Sequence, residues 1–98
     1  MADAKFSLGQ VVATPGAVQA LREAQQSPDH FLGLHAAGAW GDLDREDRAA
    51  NEQAIAHEGE LDCQARVFSS YKTRLGVKIW LITEWDRSVT TILLPDEY

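Results

Sequence analysis

Val67-Phe68-Ser69-Ser70-Tyr71-Lys72-Thr73, Arg74-Leu75-Gly76, Val77-Lys78-Ile79-Trp80-Leu81-Ile82-Thr83-Glu84, Trp85-Asp86-Arg87, Ser88-Val89-Thr90-Thr91-Ile92-Leu93-Leu94-Pro95: this stretch decides the fold. Three runs rich in β-branched and aromatic residues are joined by two tight connections, the pattern of antiparallel strands. In Val77 to Glu84, the apolar Val77, Ile79 and Leu81 alternate with Lys78, Trp80 and Ile82. In Ser88 to Leu94 apolar residues fall on both faces near the end, which marks an interior strand. Thr90 and Thr91 must point to opposite faces. The run from about Cys63 to Thr73 is more polar and reads as an edge. Pro95 stops the last strand because it cannot donate to the ladder.

A sheet of this kind needs a cover, and the preceding residues supply helices. Thr14-Pro15 is a helix start, a threonine N-cap with proline at the first helical position. That helix runs to about Gln25, with Ala17, Val18, Leu21 and Ala24 as its apolar face. Ser27-Pro28-Asp29 repeats the signal and opens a helix to about Ala37, with Phe31, Leu34 and His35 on one face and Gly38 as C-cap. After the turn Gly38-Ala39-Trp40-Gly41, Asp42 or Asp44 caps a third helix that ends near His57. Its apolar face is thin: Leu43, Ala50, Ala54 and Ile55. Leu8 to Ala13 is either a short strand or an apolar lead-in. The expected architecture is a single α+β domain over residues 1–98: two to three N-terminal helices packed on one face of a C-terminal antiparallel sheet of three to four strands.

Size and composition agree. A chain of 98 residues with 45% apolar content can bury a core without a staple. The single cysteine, Cys63, excludes an intrachain disulfide and a thiolate zinc cluster. No signal peptide and no apolar run of about 20 residues is present, so a cytoplasmic protein with no membrane contact is expected. The net charge is −6. All of that excess lies in residues 1–60, which hold ten acids and four bases; residues 61–98 hold five of each sign. A chain this acidic is a poor general nucleic-acid binder, although the sheet can still carry a local basic face.

Signatures of chemistry are scarce. The acidic run Asp42 to Asp47 lacks the glycine and glutamate of a calcium loop, its sixth and twelfth positions being Asp47 and Gln53. His30 and His35 lie five residues apart and diverge around a helix, so they are not a metal pair. No cofactor fingerprint, P-loop or nucleophile elbow occurs, and no cofactor or metal is expected. Cys63 reads as packing. His35 shares a face with apolar residues and reads first as a core histidine bonded to its surroundings. Arg87 either pairs locally or clamps an acidic group of a partner. Trp85, in a turn, and Tyr98 are the candidate contact aromatics, with Arg87 beside them.

Several segments together resemble a known family. They are Ala13-Thr14-Pro15-Gly16-Ala17; His35 with Trp40-Gly41-Asp42-Leu43 and Asp47 to Asn51; Ser70-Tyr71 with Ile79-Trp80-Leu81-Ile82-Thr83-Glu84; and the tail Asp86 to Pro95 with Tyr98. The chain resembles a family of small bacterial proteins of unassigned activity, often carried on plasmids and other mobile elements. The resemblance spans nearly the whole chain and is most specific in the tail. It implies a mobile-element setting and transfers no catalytic residue.

Three functional readings follow. The first is a non-enzymatic interaction or accessory protein whose partner is another protein or a second copy of itself, since an exposed sheet edge invites a homodimer. The second is a metal-independent ribonuclease of toxin type. His35 would be its base or acid, Arg87 its phosphate clamp, and Tyr71 or Thr90 the supporting donor. The third is an acidic nucleic-acid mimic.

Overall fold

The computed structural model describes residues 4–58, 60 and 65–98. Strand β1 is Gln10–Ala13; helices α1, α2 and α3 are Pro15–Ala24, Pro28–Ala36 and Arg45–Ala56; strands β2, β3 and β4 are Val67–Lys72, Lys78–Thr83 and Val89–Leu93. A short 3-10 turn, Pro95–Glu97, follows. The fold is α+β, with the helices N-terminal to most of the sheet. Cys63, at the expected start of β2, lies outside the described residues.

The helix signals act where the sequence places them. Thr14 caps α1, its hydroxyl accepting from the Ala17 N–H at 3.2 Å; Ser27 caps α2 and Asp44 caps α3 in the same way. Gly38, at φ +85°, follows the end of α2 and donates to the His35 carbonyl. On α1 the buried stripe is Ala17, Ala20, Leu21 and Ala24, whereas Val18 is exposed.

The sheet has the order β1-β4-β3-β2 and is mixed, which corrects the expected antiparallel sheet. Pairs β2–β3 and β3–β4 are antiparallel, but β1 runs parallel to β4, with Val11 opposite Thr90 and Ala13 opposite Ile92. Of Leu8 to Ala13, the last four residues join the sheet. The turn into them depends on Gly9, at φ +63°, where a Cβ would lie 2.3 Å from the Ser88 carbonyl oxygen. Beyond β1 the chain reverses into α1, so β4, entering much later in sequence, meets β1 side by side in the same direction.

All three helices cover one face. Ala17 and Leu21 of α1 and Phe31 of α2 pack with Tyr71, Ile79, Leu81 and Ile92. Ala54 of α3 packs with Phe6, Trp40, Leu43 and Val67. The register puts Val67, Ser69, Tyr71, Ile79, Leu81, Thr83, Thr90 and Ile92 on this covered side. Among the described residues no α-helix lies over the opposite face, which meets only the 3-10 turn and Tyr98.

Strand β2 is an edge strand, as its polarity predicts, but its outer side is already engaged. The Asn51 amide of α3 donates to the Phe68 carbonyl at 2.6 Å and accepts from the Phe68 N–H at 3.0 Å. Ser70 exchanges backbone bonds with Trp40 and Asp42, 3.1 and 2.6 Å long. Gly41, at φ +76°, makes that bridge; a Cβ there would lie 2.1 Å from the Ser70 carbonyl oxygen. The edge expected to recruit a second chain is thus blunted from within.

Candidate functional site

His35 is fully buried. Its place follows from two periodicities. One helical turn separates it from Phe31, so both face the sheet. Ser69, Thr83 and Thr90 alternate with apolar residues on their strands and so project toward α2. The His35 Nδ1 lies 2.5 Å from the Ser69 hydroxyl and its Nε2 2.9 Å from the Thr83 hydroxyl. Thr83 lies 2.6 Å from Thr90, which donates to the Leu8 carbonyl at 2.7 Å.

This chain of bonds has one direction. The Leu8 carbonyl can only accept, so Thr90 spends its single proton there. Thr90 must then accept from Thr83, and Thr83 must accept from His35. The imidazole therefore carries its proton on Nε2 and presents a lone pair at Nδ1, to which Ser69 donates. Burial, helped by the nearby Arg87 guanidinium, lowers the His35 pKa to about 4 and keeps the ring neutral. Phe6 closes the ring edge-on at 5.1 Å and Trp40 at 6.0 Å.

The other proposed catalytic residues also lie inside. Thr90 joins His35 through Thr83, and both threonines are fully buried. The Tyr71 hydroxyl donates to the Ala39 carbonyl. Burial raises its pKa to about 12. Arg87 is separated from His35 by Phe6, whose ring centroid lies 5.7 Å from the guanidinium carbon. Its Nε and Nη2 bind Glu58, with a closest distance of 2.7 Å, and its Nη1 donates to the carbonyls of Ala65, Glu84 and Trp85. The residue is buried in a φ of +62° and serves as the brace of the β3–β4 connection. A serine beside a histidine resembles a nucleophile pair in composition, but neither group has an approach for a substrate. Among the described residues, no cluster of three His, Cys, Asp or Glu side chains is placed to hold a metal ion.

The surface site is on the uncovered sheet face. Register aligns two rows across it: Ser70, Trp80 and Leu93, then Phe68, Ile82, Thr91 and Val12. Phe68 and Trp80 meet edge to face at 5.1 Å, and Tyr98 adds a second edge contact to Trp80 at 6.0 Å. Arg66 donates to the Tyr98 hydroxyl at 2.7 Å and lies over its ring. Tyr98 nevertheless keeps 73% of its surface exposed. Two hollows share Arg66, Ile82 and Tyr98 as walls. One, of about 310 Å³, adds Asp47, Phe68 and Trp80; the other, of about 290 Å³, adds Glu84, Thr91, Leu93 and Glu97.

Of the contact residues expected from sequence, Tyr98 is on this face, Trp85 is half exposed in the β3–β4 turn, and Arg87 is turned inward. Phe68, Trp80 and Arg66 were the residues missed. Their signal was present: they are the alternate positions to Val67, Ser69, Ile79 and Leu81, so once the helices cover one set the other must face out. No helix among the described residues is long and apolar enough to cross a membrane. Comparison with known proteins finds no matching family model, no matching curated protein and no matching solved structure.

Proposed function

We propose that the chain is a non-catalytic interaction protein, an accessory protein of a bacterial mobile element as its resemblance implies, and that it engages its partner through the uncovered sheet face. The observation that carries this reading is the continuous Phe68, Trp80, Tyr98 and Arg66 surface on the side away from the helices. Trp, Tyr and Arg are the residues that most often supply binding energy at protein contacts. The helices bury the other face, while Trp80 and Phe68 stay partly exposed and Tyr98 largely exposed on this one.

Catalysis gains no comparable support. The ribonuclease reading needs His35 and Arg87 to reach a phosphodiester, and both are in the interior with their polar atoms engaged. The mimic reading needs an unbroken line of carboxylates, and Arg45 and Arg48 interrupt those of α3.

The test is photo-crosslinking in cells, with p-benzoylphenylalanine in place of Trp80 or, as a control on the exposed side of α3, in place of Glu46. Adducts from position 80 and none from position 46 are expected. Adducts from position 46 alone would overturn the reading. So would RNA cleavage by the purified, metal-free chain that disappears in His35→Ala.

A further inference from the structure

We propose that the outer edge of β1 is a binding site of its own, separate from the sheet face, and that it takes an extended peptide segment of a partner protein as a fifth strand. Gln10 and Thr14 donate to the carbonyls of Ser88 and Ile92, at 2.9 and 3.0 Å. The parallel register between them gives the bonds toward β4 to Gln10, Val12 and Thr14. The N–H and C=O groups of Val11 and Ala13 therefore point away from the sheet. Among the described residues no group hydrogen-bonds to them. Two donors and two acceptors, repeated after about 7 Å, form the pattern that an extended backbone matches.

The chain treats its two sheet edges differently. On β2, Asn51, Trp40 and Asp42 occupy the outer backbone groups of Phe68 and Ser70. Strand β1 carries none of the devices that blunt an edge. Gln10–Ala13 has no proline, no charged residue and no bulge, and all four residues are exposed. Val11 and Val12 stand open on it, and Val18 of α1 stands open beside it.

The pleat decides which side chains the edge selects. Val11 and Ala13 lie opposite Thr90 and Ile92, on the side that the helices cover. In an added antiparallel strand, the residues that exchange both bonds with Val11 and Ala13 share that side. A hollow of about 250 Å³ opens there between β1 and α1, lined by Ala13, Val18, Leu21, Arg22, Gln26 and Pro28. It has room for an aliphatic side chain opposite Ala13. The next residue of the segment falls beside Val12, on the open face, and is not selected. Arg22 and Glu23 adjoin each other along the neighbouring groove of α1, so charge selects little. A second copy offers the same edge, but four strand residues make a small contact for two whole domains. A peptide needs no wider contact, because main-chain bonds supply its affinity and one side-chain pocket its specificity.

The test is a nitrogen-15 NMR titration of the full chain with acetyl-Lys-Thr-Val-Thr-Val-Thr-Lys-amide up to millimolar concentration. The Val11 and Ala13 amides should shift most, and their exchange with solvent should slow. The same peptide N-methylated at both valines should bind about tenfold more weakly or worse, because two main-chain donors are lost. Val11→Pro should weaken binding of the unmethylated peptide similarly. Its missing N–H takes no part in the ladder to β4, so folding should survive, and circular dichroism checks this. If that variant does not fold, the methylated peptide still decides. No shift at millimolar peptide overturns the proposal, as does equal binding of the methylated peptide. Shifts centred on Phe68, Trp80 and Tyr98 would move the peptide to the sheet face and overturn the edge site. Shifts of Val11 and Ala13 on concentrating the chain alone would give the edge to a second copy and overturn the peptide. Crosslinking from position 80 tests the sheet face separately, so either site can fail without the other.

Discussion

The neutral, buried state of His35 has a measurable consequence for stability. In the unfolded chain the imidazole titrates near 6.5; in the folded chain its pKa is lowered to about 4. The folded state therefore binds fewer protons than the unfolded state between these values, and falling pH favours unfolding. The contribution is intact above pH 6.5, declines as pH falls, and levels off below about 4, where the folded ring also takes a proton. A difference of that size is worth about 3 kcal/mol. Urea unfolding of the wild type and of His35→Gln, measured at pH 7.5 and near pH 4.5, isolates this term. Carboxylates such as Asp86, held below its usual range by the Ser88 hydroxyl and amide, titrate in both proteins and cancel. The wild type should lose about 2.5 kcal/mol more than the variant over this interval. Should the variant not fold, nitrogen NMR of wild-type His35 gives the same answer, with a proton on Nε2 and none on Nδ1 down to about pH 4. Equal pH dependence in the two proteins, or a folded His35 that titrates near 6.5, would refute the one-directional hydrogen-bond chain.

Other outcomes follow from single contacts. Asn51→Ala strips two half-buried backbone groups of Phe68 of their partners and should cost about 1–3 kcal/mol in urea unfolding. Gly41→Ala meets the Ser70 carbonyl and a positive φ, so its melting temperature should drop by an amount corresponding to about 2 kcal/mol or more. Gly33→Ala, with open space around its Cβ inside α2, should instead be neutral or stabilising by about 0.5–1 kcal/mol in the same assay. Arg87→Ala removes the guanidinium from Glu58 and from the Ala65 and Trp85 carbonyls, and a loss of about 3 kcal/mol is expected from chemical denaturation.

What was legible in the sequence was whatever acts locally. The caps Thr14, Ser27 and Asp44 each bond an amide within three residues, and the two tight turns of the meander are short-range features. The partner of β1 was not legible, because the pairing of Gln10–Ala13 with Val89–Leu93 joins opposite ends of the chain, and four exposed residues carry no face-specific pattern. Asn51 was hidden for a related reason. Its work is done on a strand edge created seventeen positions later, and the third helix was instead assigned an alanine stripe that included the exposed Ala50. His35 was read correctly as a core residue, but its partners Ser69 and Thr83 come from two strands whose register sequence alone does not set. The surface Phe68–Trp80–Tyr98 cluster needed the same register before its residues could be placed on one face.

Both faces of the sheet mix polar and apolar residues. A half-covered antiparallel sheet normally turns apolar residues toward the helices and polar ones outward. Here the covered side holds Ser69, Thr83 and Thr90, and needs a neutral histidine and the Leu8 carbonyl to satisfy them. The uncovered side holds Phe68, Trp80, Ile82 and Leu93. Moving the aromatics inward and the hydroxyls outward would give a simpler monomer with fewer buried polar groups. The chain instead keeps its polar groups in the core, where only a complete hydrogen-bond chain makes them tolerable. It keeps Phe68, Trp80 and Tyr98 on the face that a partner can reach, while Phe6, Phe31, Trp40 and Tyr71 lie in the core. Burial of polar groups and exposure of aromatic ones both run against the stability of an isolated chain. A second molecule on the open face would offset the exposure, which is why function is better sought in what covers Trp80 than in what surrounds His35.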